Sequence, residues 1–330
     1  MSELKPTCWI ITEGIAGTEN QCLGVAEALG IQPVVKRIKL RFPWRQLSPW
    51  LSLGHQYALA PGSASVAPPW PDLLIASGRK SVGIALQVKK MSGGKTFLVQ
   101  IQDPHVNPKR FDLVVAPQHD LVRGENVLAT AGALHRVTRE KIAAERQKFA
   151  STLGKLPQPR VAVLIGGSSK SYEMTGANIS LLAAQLLELV KKCHAGLMIT
   201  ASRRTGEENL RVLRGMLAGD SVFFWDGAGE NPYFAMLGFA DHIIVTEDSV
   251  SMVSEAISTG KPVYIAPLDG GSKKFNLFHQ NLRQKGCTRP FTGALETWSY
   301  VPPDDMGKVT DEIRRRLSLR HPRESGDPAR

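Results

Sequence analysis

The residues best suited to chemistry gather in Ala240–Phe291. Asp248, Ser249 and Ser251 crowd the start of a segment with helical apolar spacing, Val250, Val253, Ala256 and Ile257. Free N–H groups and the dipole at a helix N-terminus favour an anion. Glu255 lies four residues after Ser251, on the same face and one turn further in. A carboxylate there suits a pair of ribose hydroxyls. The plainer alternative is that Asp248 or Ser249 caps the helix and Glu255 is solvated. Earlier, the all-apolar Val161–Ile165 runs into Gly166, Gly167, Ser168 and Ser169. Glycines let backbone approach a ligand, and hydroxyls with N–H groups suit a diphosphate. Arg203 and Arg204 follow a predicted strand, Gly196–Ala201, where two guanidinium groups suit phosphate. Lys273, in the glycine-rich LDGGSKK, can also meet a phosphate or stand in solvent.

The first half carries acid–base candidates. Lys95–Ile101 is a predicted strand, and Asp103 and His105 follow it. Open α/β sheets place function just past the carboxyl ends of strands, so these two are an acid/base pair or the closure of a turn. Arg79, in SGRK after the predicted strand Asp72–Ala76, suits a phosphate or sugar oxygen, or a plain surface turn. Val34–Tyr57 is of another kind. No acid occurs between Glu27 and Asp72, and Lys36, Arg37, Lys39, Arg41 and Arg45 interleave with Phe42, Trp44, Leu47, Trp50, Leu51 and Leu53. Cations among tryptophans favour a lipid headgroup interface. The alternative packs the aromatics inward and leaves the cations solvated. No nucleic-acid-binding pattern is present.

These residues need rigid elements to hold them. A chain of 330 residues with 42% hydrophobic residues supports two ordinary domains. Apolar runs alternate with amphipathic segments, which predicts a doubly wound α/β fold with parallel sheets. Gly154–Pro159 reads as the linker. The predicted division is an acceptor-side domain over 1–153, a donor-binding domain over 154–319 and a disordered tail over 320–330. A single helix is predicted over Thr138–Leu153, and another over Asn276–Lys285. No apolar run reaches 18 residues, and no secretion signal or metal-ligand spacing of Cys8, Cys22, Cys193 and Cys287 is seen. The expectation is a cytoplasmic protein with reduced cysteines packed as core residues. The net charge of +11 calls for an acidic partner. There is no G-x-G-x-x-G, no G-x-x-x-x-G-K-[ST] and no D-x-D.

Ala240, Asp241, Ser254, Glu255, Gly260 and Pro262 together resemble the donor-binding half of GT-B glycosyltransferases. The likeness is greatest to the enzyme that adds N-acetylglucosamine to the lipid-linked peptidoglycan precursor. A narrower likeness runs to about Pro302. NQCLGVAEALG, VQIQDP, FDLVVAPQHD, TAGALHRV and TEDSVSMVSEAISTGKPV resemble the family of the plant mitochondrial-fission protein "elongated mitochondria" (ELM-type). The resemblance implies two Rossmann-like domains facing a cleft. It implies metal-independent, inverting transfer of a sugar from a nucleoside-diphosphate sugar, with no further cofactor, to a membrane-associated or lipid-linked acceptor. Thr18, Glu19, Asn20, Gln21 and His135 are then cleft residues, with Glu19, Asp103 and His135 as candidate catalytic groups. Glu13 is a second candidate base. Such a protein could work on the inner face of the cytoplasmic membrane. The same fold serves nucleotide-sugar 2-epimerases and hydrolases, and it can also serve as a non-catalytic scaffold for membrane or protein.

Overall fold

The computed structural model describes residues 6–51, 54 and 57–320. Leu53 of the basic–aromatic stretch and residues 321–330 of the expected tail lie outside them. The chain divides into two compact units. One holds the residues before Val137 together with those from Asp304 on, and the other is Val137–Pro303.

Unit 1 is built on six parallel strands: β1 (Cys8–Thr12), β2 (Val34–Arg37), β3 (Leu73–Ser77), β4 (Phe97–Ile101), β5 (Leu113–Pro117) and β6 (Val127–Thr130). Their order is β2-β1-β3-β4-β5-β6. The central strands read as unbroken apolar runs because helices cover both faces of the sheet. On one face lie α1 (Ala16–Ala28) and the last helix, Asp305–Arg320, which bring Cys22, Val25, Ala26, Val309 and Ile313 onto Ile10, Ile75 and Val99. The other face packs Ile38, Ala58 and Phe111 with the helix Val82–Met91. A single helical turn, α2 (Trp44–Leu47), precedes that helix, which becomes α3. Helix α1 begins at Ala16, so Thr18, Glu19, Asn20 and Gln21 all stand on its first turns.

Unit 2 opens with α4 (Arg139–Lys148) and α5 (Ala150–Leu153), a pair interrupted at Phe149 where one helix was expected. Thr138 caps α4, accepting from the Lys141 N–H. The sheet comprises β7 (Arg160–Ile165), β9 (Gly196–Ala201), β10 (Val222–Phe224), β11 (His242–Thr246), β12 (Val263–Ala266) and β14 (Thr288–Pro290). Their order is β10-β9-β7-β11-β12-β14, all parallel. A small antiparallel pair, β8 (Tyr172–Glu173) and β13 (Asp269–Gly270), stands apart. Helices α6 (Gly176–Cys193) and α7 (Glu207–Met216) cover one face through Ile179, Leu182, Leu186 and Leu213. Helices α8 (Tyr233–Phe239), α9 (Val250–Ile257) and α10 (Lys273–Gln284) cover the other through Ala235, Val253 and Phe278. The last helix of the chain, in unit 1, is α11.

The boundary expected at Gly154–Pro159 falls inside unit 2. Helix α4 packs along α8, and Leu153 and Phe149 join the same core as Val253 and Phe278. The glycine and prolines there turn the chain between α5 and β7 rather than separate two bodies. Of the cysteines, Cys8, Cys22 and Cys287 are buried as expected for core residues, whereas Cys193 is exposed at the end of α6.

Candidate functional site

In unit 2 the chain lays β9 and β10 on one side of β7, then returns to lay β11, β12 and β14 on the other. The strand order therefore reverses between β7 and β11, where open α/β sheets receive ligands. The loops leaving those strands carry Gly166–Ser169 and Glu247–Ser249. Asp248 binds them together. Its side chain is fully buried and lies 2.7 Å from the Arg204 guanidinium. It also accepts from the Gly167 N–H at 3.0 Å and the Thr246 hydroxyl at 2.7 Å. The Thr246 hydroxyl in turn accepts from the Gly166 N–H at 2.7 Å. A Cβ on Gly166 would stand 2.2 Å from the Asp248 carboxylate, so only glycine allows this approach. Asp248 was expected to meet a ligand. Its oxygens are committed inside the protein, and its role is to hold the glycine loop in shape.

Arg204 donates further to the Gly167 and Ser168 carbonyls at 2.9 and 3.2 Å. Arg203 is exposed beside it. The Ser168 and Ser169 hydroxyls accept from the Met174 and Tyr172 N–H groups, which shapes the turn into β8. Ser249 caps α9, accepting from the Met252 N–H, and Ser251 is half-buried in the first turn. Lys273 is exposed in the first turn of α10, which begins three residues before the expected Asn276 and is capped by Ser272.

Glu255 is half-buried and accepts from the Tyr233 hydroxyl at 2.5 Å. Burial pushes its carboxyl up to about 7, against the opposing pull of the Tyr233 hydrogen bond and the Lys141 charge. Burial and the Glu255 charge also raise the Tyr233 phenol well above its ordinary value. Tyr233 was not among the residues singled out in the sequence. Pro232, just before it, lines a pocket of about 320 Å³ with Phe149, Phe224, Trp225, Asp226 and Glu230. The run FFWDG at the end of β10 was the available signal for this aromatic wall.

In unit 1 the order reverses between β1 and β3. The loops there are joined by the Lys80 ammonium, 2.7 Å from the Glu13 carboxylate. Arg79 is exposed in the same loop, its guanidinium 5.9 Å from the Trp50 ring. Asp103 follows the neighbouring strand β4, accepts from the His105 N–H at 2.8 Å, and faces the His105 imidazole at 3.6 Å. Gln102 and His105 have φ of 72° and 55°. Left-handed backbone at two non-glycine residues stores strain, which concentrates at functional turns. Glu19 is gripped through both oxygens by Arg37, at 2.7 and 2.9 Å. That hydrogen bonding holds its carboxyl below the usual range and weakens it as a base. Thr18 bonds back to the Ile15 carbonyl, Asn20 is half-buried and Gln21 is buried within α1. His135 is half-buried, and its carbonyl lies against Gly24 of α1.

The basic–aromatic stretch divides. Lys36 donates to the Ser65 carbonyl at 2.7 Å and lies 4.0 Å from the Trp9 ring centroid, Arg37 holds Glu19, and Arg41 donates to the Leu59 carbonyl. Trp44 packs against the core. Lys39, Arg45 and Leu47 are exposed, with Phe42 and Trp50 at 75% and 63%. Half of the expected patch is thus structural and half faces outward. Among the described residues no group of three His, Cys, Asp or Glu could hold a metal ion, and no helix is long and apolar enough to cross a membrane.

Two solved structures share this architecture. UDP-N-acetylglucosamine 2-epimerase from Methanocaldococcus jannaschii, in complex with UDP-N-acetylglucosamine and UDP, superimposes with a TM-score of 0.51 over 95% of this chain and 99% of its own, at 10% identity. A putative UDP-N-acetylglucosamine 2-epimerase from Listeria monocytogenes gives 0.54 over 94% and 88%, at 11% identity. The fold is the GT-B type that glycosyltransferases and such epimerases share. By sequence, the mitochondrial fission protein ELM1 of Arabidopsis thaliana is 29% identical over 390 aligned residues, spanning 94% of this chain and 91% of that protein. The family model described as mitochondrial fission ELM1 matches residues 16–317, and the chain belongs to that family.

Proposed function

We propose that this protein binds a nucleoside-diphosphate sugar in unit 2 and transfers the sugar to a membrane-associated or lipid-linked hydroxyl. The observation that carries the reading is the braced Gly166–Gly167 loop beside the N-terminus of α9, at the strand reversal of unit 2. The diphosphate would take the N–H groups of the α9 N-terminus, with Arg203 and Lys273 adding charge, so that negative charge on the departing group is stabilised. The ribose diol would replace the Tyr233 hydroxyl on Glu255, and the base would lie on the Trp225 wall. The acceptor oxygen would attack the anomeric carbon as the bond to the diphosphate oxygen breaks, with inversion at that carbon. The hydroxyl proton passes to a general base as the new bond forms. Of the candidate carboxylates in unit 1, Asp103, at the strained turn after β4, is more open to a proton than Glu19, whose two oxygens Arg37 holds and whose basicity that grip lowers.

The test is a thermal-shift screen of UDP, GDP, ADP, TDP, CMP and their sugars on the wild type and Glu255→Ala. A ligand bound only by the folded state raises the melting temperature by mass action. A selective shift, lost in Glu255→Ala, supports the donor site; none with any nucleotide at millimolar concentration overturns it. Incubation with the shifting nucleotide sugar then separates transfer from epimerisation or hydrolysis, the chemistry suggested by the two epimerases of shared fold. Exposed Phe42, Leu47 and Trp50 among Arg45 and Arg79 favour a second reading, a scaffold that binds an anionic membrane without catalysis. Flotation on anionic vesicles combined with no nucleotide shift would select it.

A further inference from the structure

The pocket of about 320 Å³ beside Pro232 is open to solvent and large enough for a ligand's flat ring system. Its floor is the loop between β10 and α8, which begins Trp225-Asp226-Gly227-Ala228. Trp225 is fixed at both ends. Its backbone N–H donates to the Ile199 carbonyl of β9 at 2.9 Å, and its indole N–H donates to the Ala228 carbonyl at 3.1 Å. Asp226 is tied to the same residue, one carboxylate oxygen accepting from the Ala228 N–H at 2.9 Å. The loop thus closes on itself and holds an aromatic ring and a carboxylate side by side. Asp226 is exposed, and its second oxygen has no hydrogen-bond or ion-pair partner among the described residues. Glu230, the other acid of the pocket, is paired with the Lys148 ammonium. Phe149 packs with Trp225 against the same core and adds a second aromatic wall, and Thr152 brings a hydroxyl from α5.

Any nucleobase can stack on such walls, so the polar groups decide between bases. A carboxylate only accepts, and two parallel N–H donors match it best. Guanine carries such a pair, N1–H beside the N2 amino group. Uracil and thymine present one N–H between two carbonyl oxygens, and both oxygens would meet the carboxylate charge. Adenine and cytosine present one amino group beside a bare ring nitrogen, which again sets an acceptor against an acceptor. We propose, resting on the donor site above, that this pocket selects guanine and that the donor is a guanosine-diphosphate sugar. Asp226 accepts from N1–H and the N2 amino group, the purine stacks on Trp225, and Thr152 donates to the O6 carbonyl.

The experiment is titration calorimetry of the full chain with GDP, IDP, XDP, UDP, ADP and CDP. IDP lacks only the N2 amino group, and XDP carries a carbonyl in its place. GDP should bind roughly tenfold tighter than IDP, the worth of one such hydrogen bond, and roughly a hundredfold tighter than UDP, ADP or CDP. Asp226→Asn keeps an acceptor for the Ala228 N–H and turns the other oxygen into a donor. That variant should lose the preference for GDP and favour XDP, an exchange that a merely structural role for Asp226 would not produce. Glu255→Ala, which acts on the ribose, should weaken every nucleotide alike and leave their order unchanged. UDP, ADP or CDP binding as tightly as GDP, or a GDP preference untouched by Asp226→Asn, overturns the guanine assignment and leaves the donor site standing. A changed order of bases in Glu255→Ala also overturns it, by placing the base beside Glu255. Binding of no nucleotide overturns both readings. Melting temperature reports whether Asp226→Asn folds, and if it does not, the order of GDP, IDP and UDP on the wild type decides.

Discussion

At the scale of single residues, charge buried in unit 2 sets the testable behaviour. The carboxyl of Glu255 is raised from 4.5 to about 7 by burial. Between those values the folded state holds a proton that the unfolded state has released, so stability falls as pH rises from about 4.5 to 7, by about 3 kcal/mol in all. Glu255→Gln keeps an acceptor for Tyr233 and removes that slope. Denaturant titrations should find the variant more stable than wild type at pH 8, with the difference vanishing near pH 4.5. Parallel pH profiles would refute the buried carboxyl. Asp248→Asn should lower stability by about 2 kcal/mol, short of a fully buried pair because Arg204 is 44% exposed. Chemical denaturation reads this, and a loss under about 0.5 kcal/mol would show that the loop needs no brace. Asp248, Gly166 and Gly167 were legible in the sequence because residue type and position after a strand are local signals. Their use was not: Arg204 lies 44 positions before Asp248, Arg37 lies 18 after Glu19, and Tyr233 lies 22 before Glu255. Each reverses or refines a role that the motif alone suggested.

At the scale of elements, the buried strands were plain and the edges were not. β7, VAVLI after its first arginine, is covered on both faces and shows it. β2 and β14 are edge strands, mostly exposed and of mixed polarity, so they read as loop or as part of the basic stretch. Capping was readable where side chains alone decide it. Thr175 and Asn178 form the capping box of α6, and Thr175→Ala should cost about 1 kcal/mol in a urea melt. The exposed turn around α2 gives an opposite expectation. Phe42→Ser with Trp50→Ser should change stability by no more than about 0.5 kcal/mol, because both rings face outward, yet should abolish flotation on anionic vesicles. Retained flotation would move membrane binding elsewhere, and a large loss of stability would show that the rings pack.

At the scale of the whole molecule, the division into units carries its own prediction. A fragment of residues 137–303 contains its complete core and should melt cooperatively. A fragment of residues 154–303, cut at the glycine–proline turn, lacks Phe149, Leu153 and the α4 layer on α8, and should not. Circular dichroism of the two decides, and equal cooperativity would restore the boundary at Gly154. Ile313→Ala, in α11, should destabilise unit 1 by about 2–4 kcal/mol as a fully buried truncation. Composition suggests two ordinary domains, and the chain forms two compact units. Composition could not locate the boundary, because glycine and proline mark a turn wherever it lies, and α11 returns to the first sheet from the far end of the chain.

That return has a consequence for the making of the protein. Synthesis runs from the N-terminus, yet Val309 and Ile313, which seal one face of the first sheet, emerge only after the whole of unit 2. Val137–Pro303 can fold on the ribosome while the earlier-made sheet waits with Ile75 and Val99 uncovered. The order of completion is therefore the reverse of the order of translation. A ribosome stalled or a message truncated shortly before codon 304 would release a chain with one finished half and one adhesive half, a natural client for a chaperone.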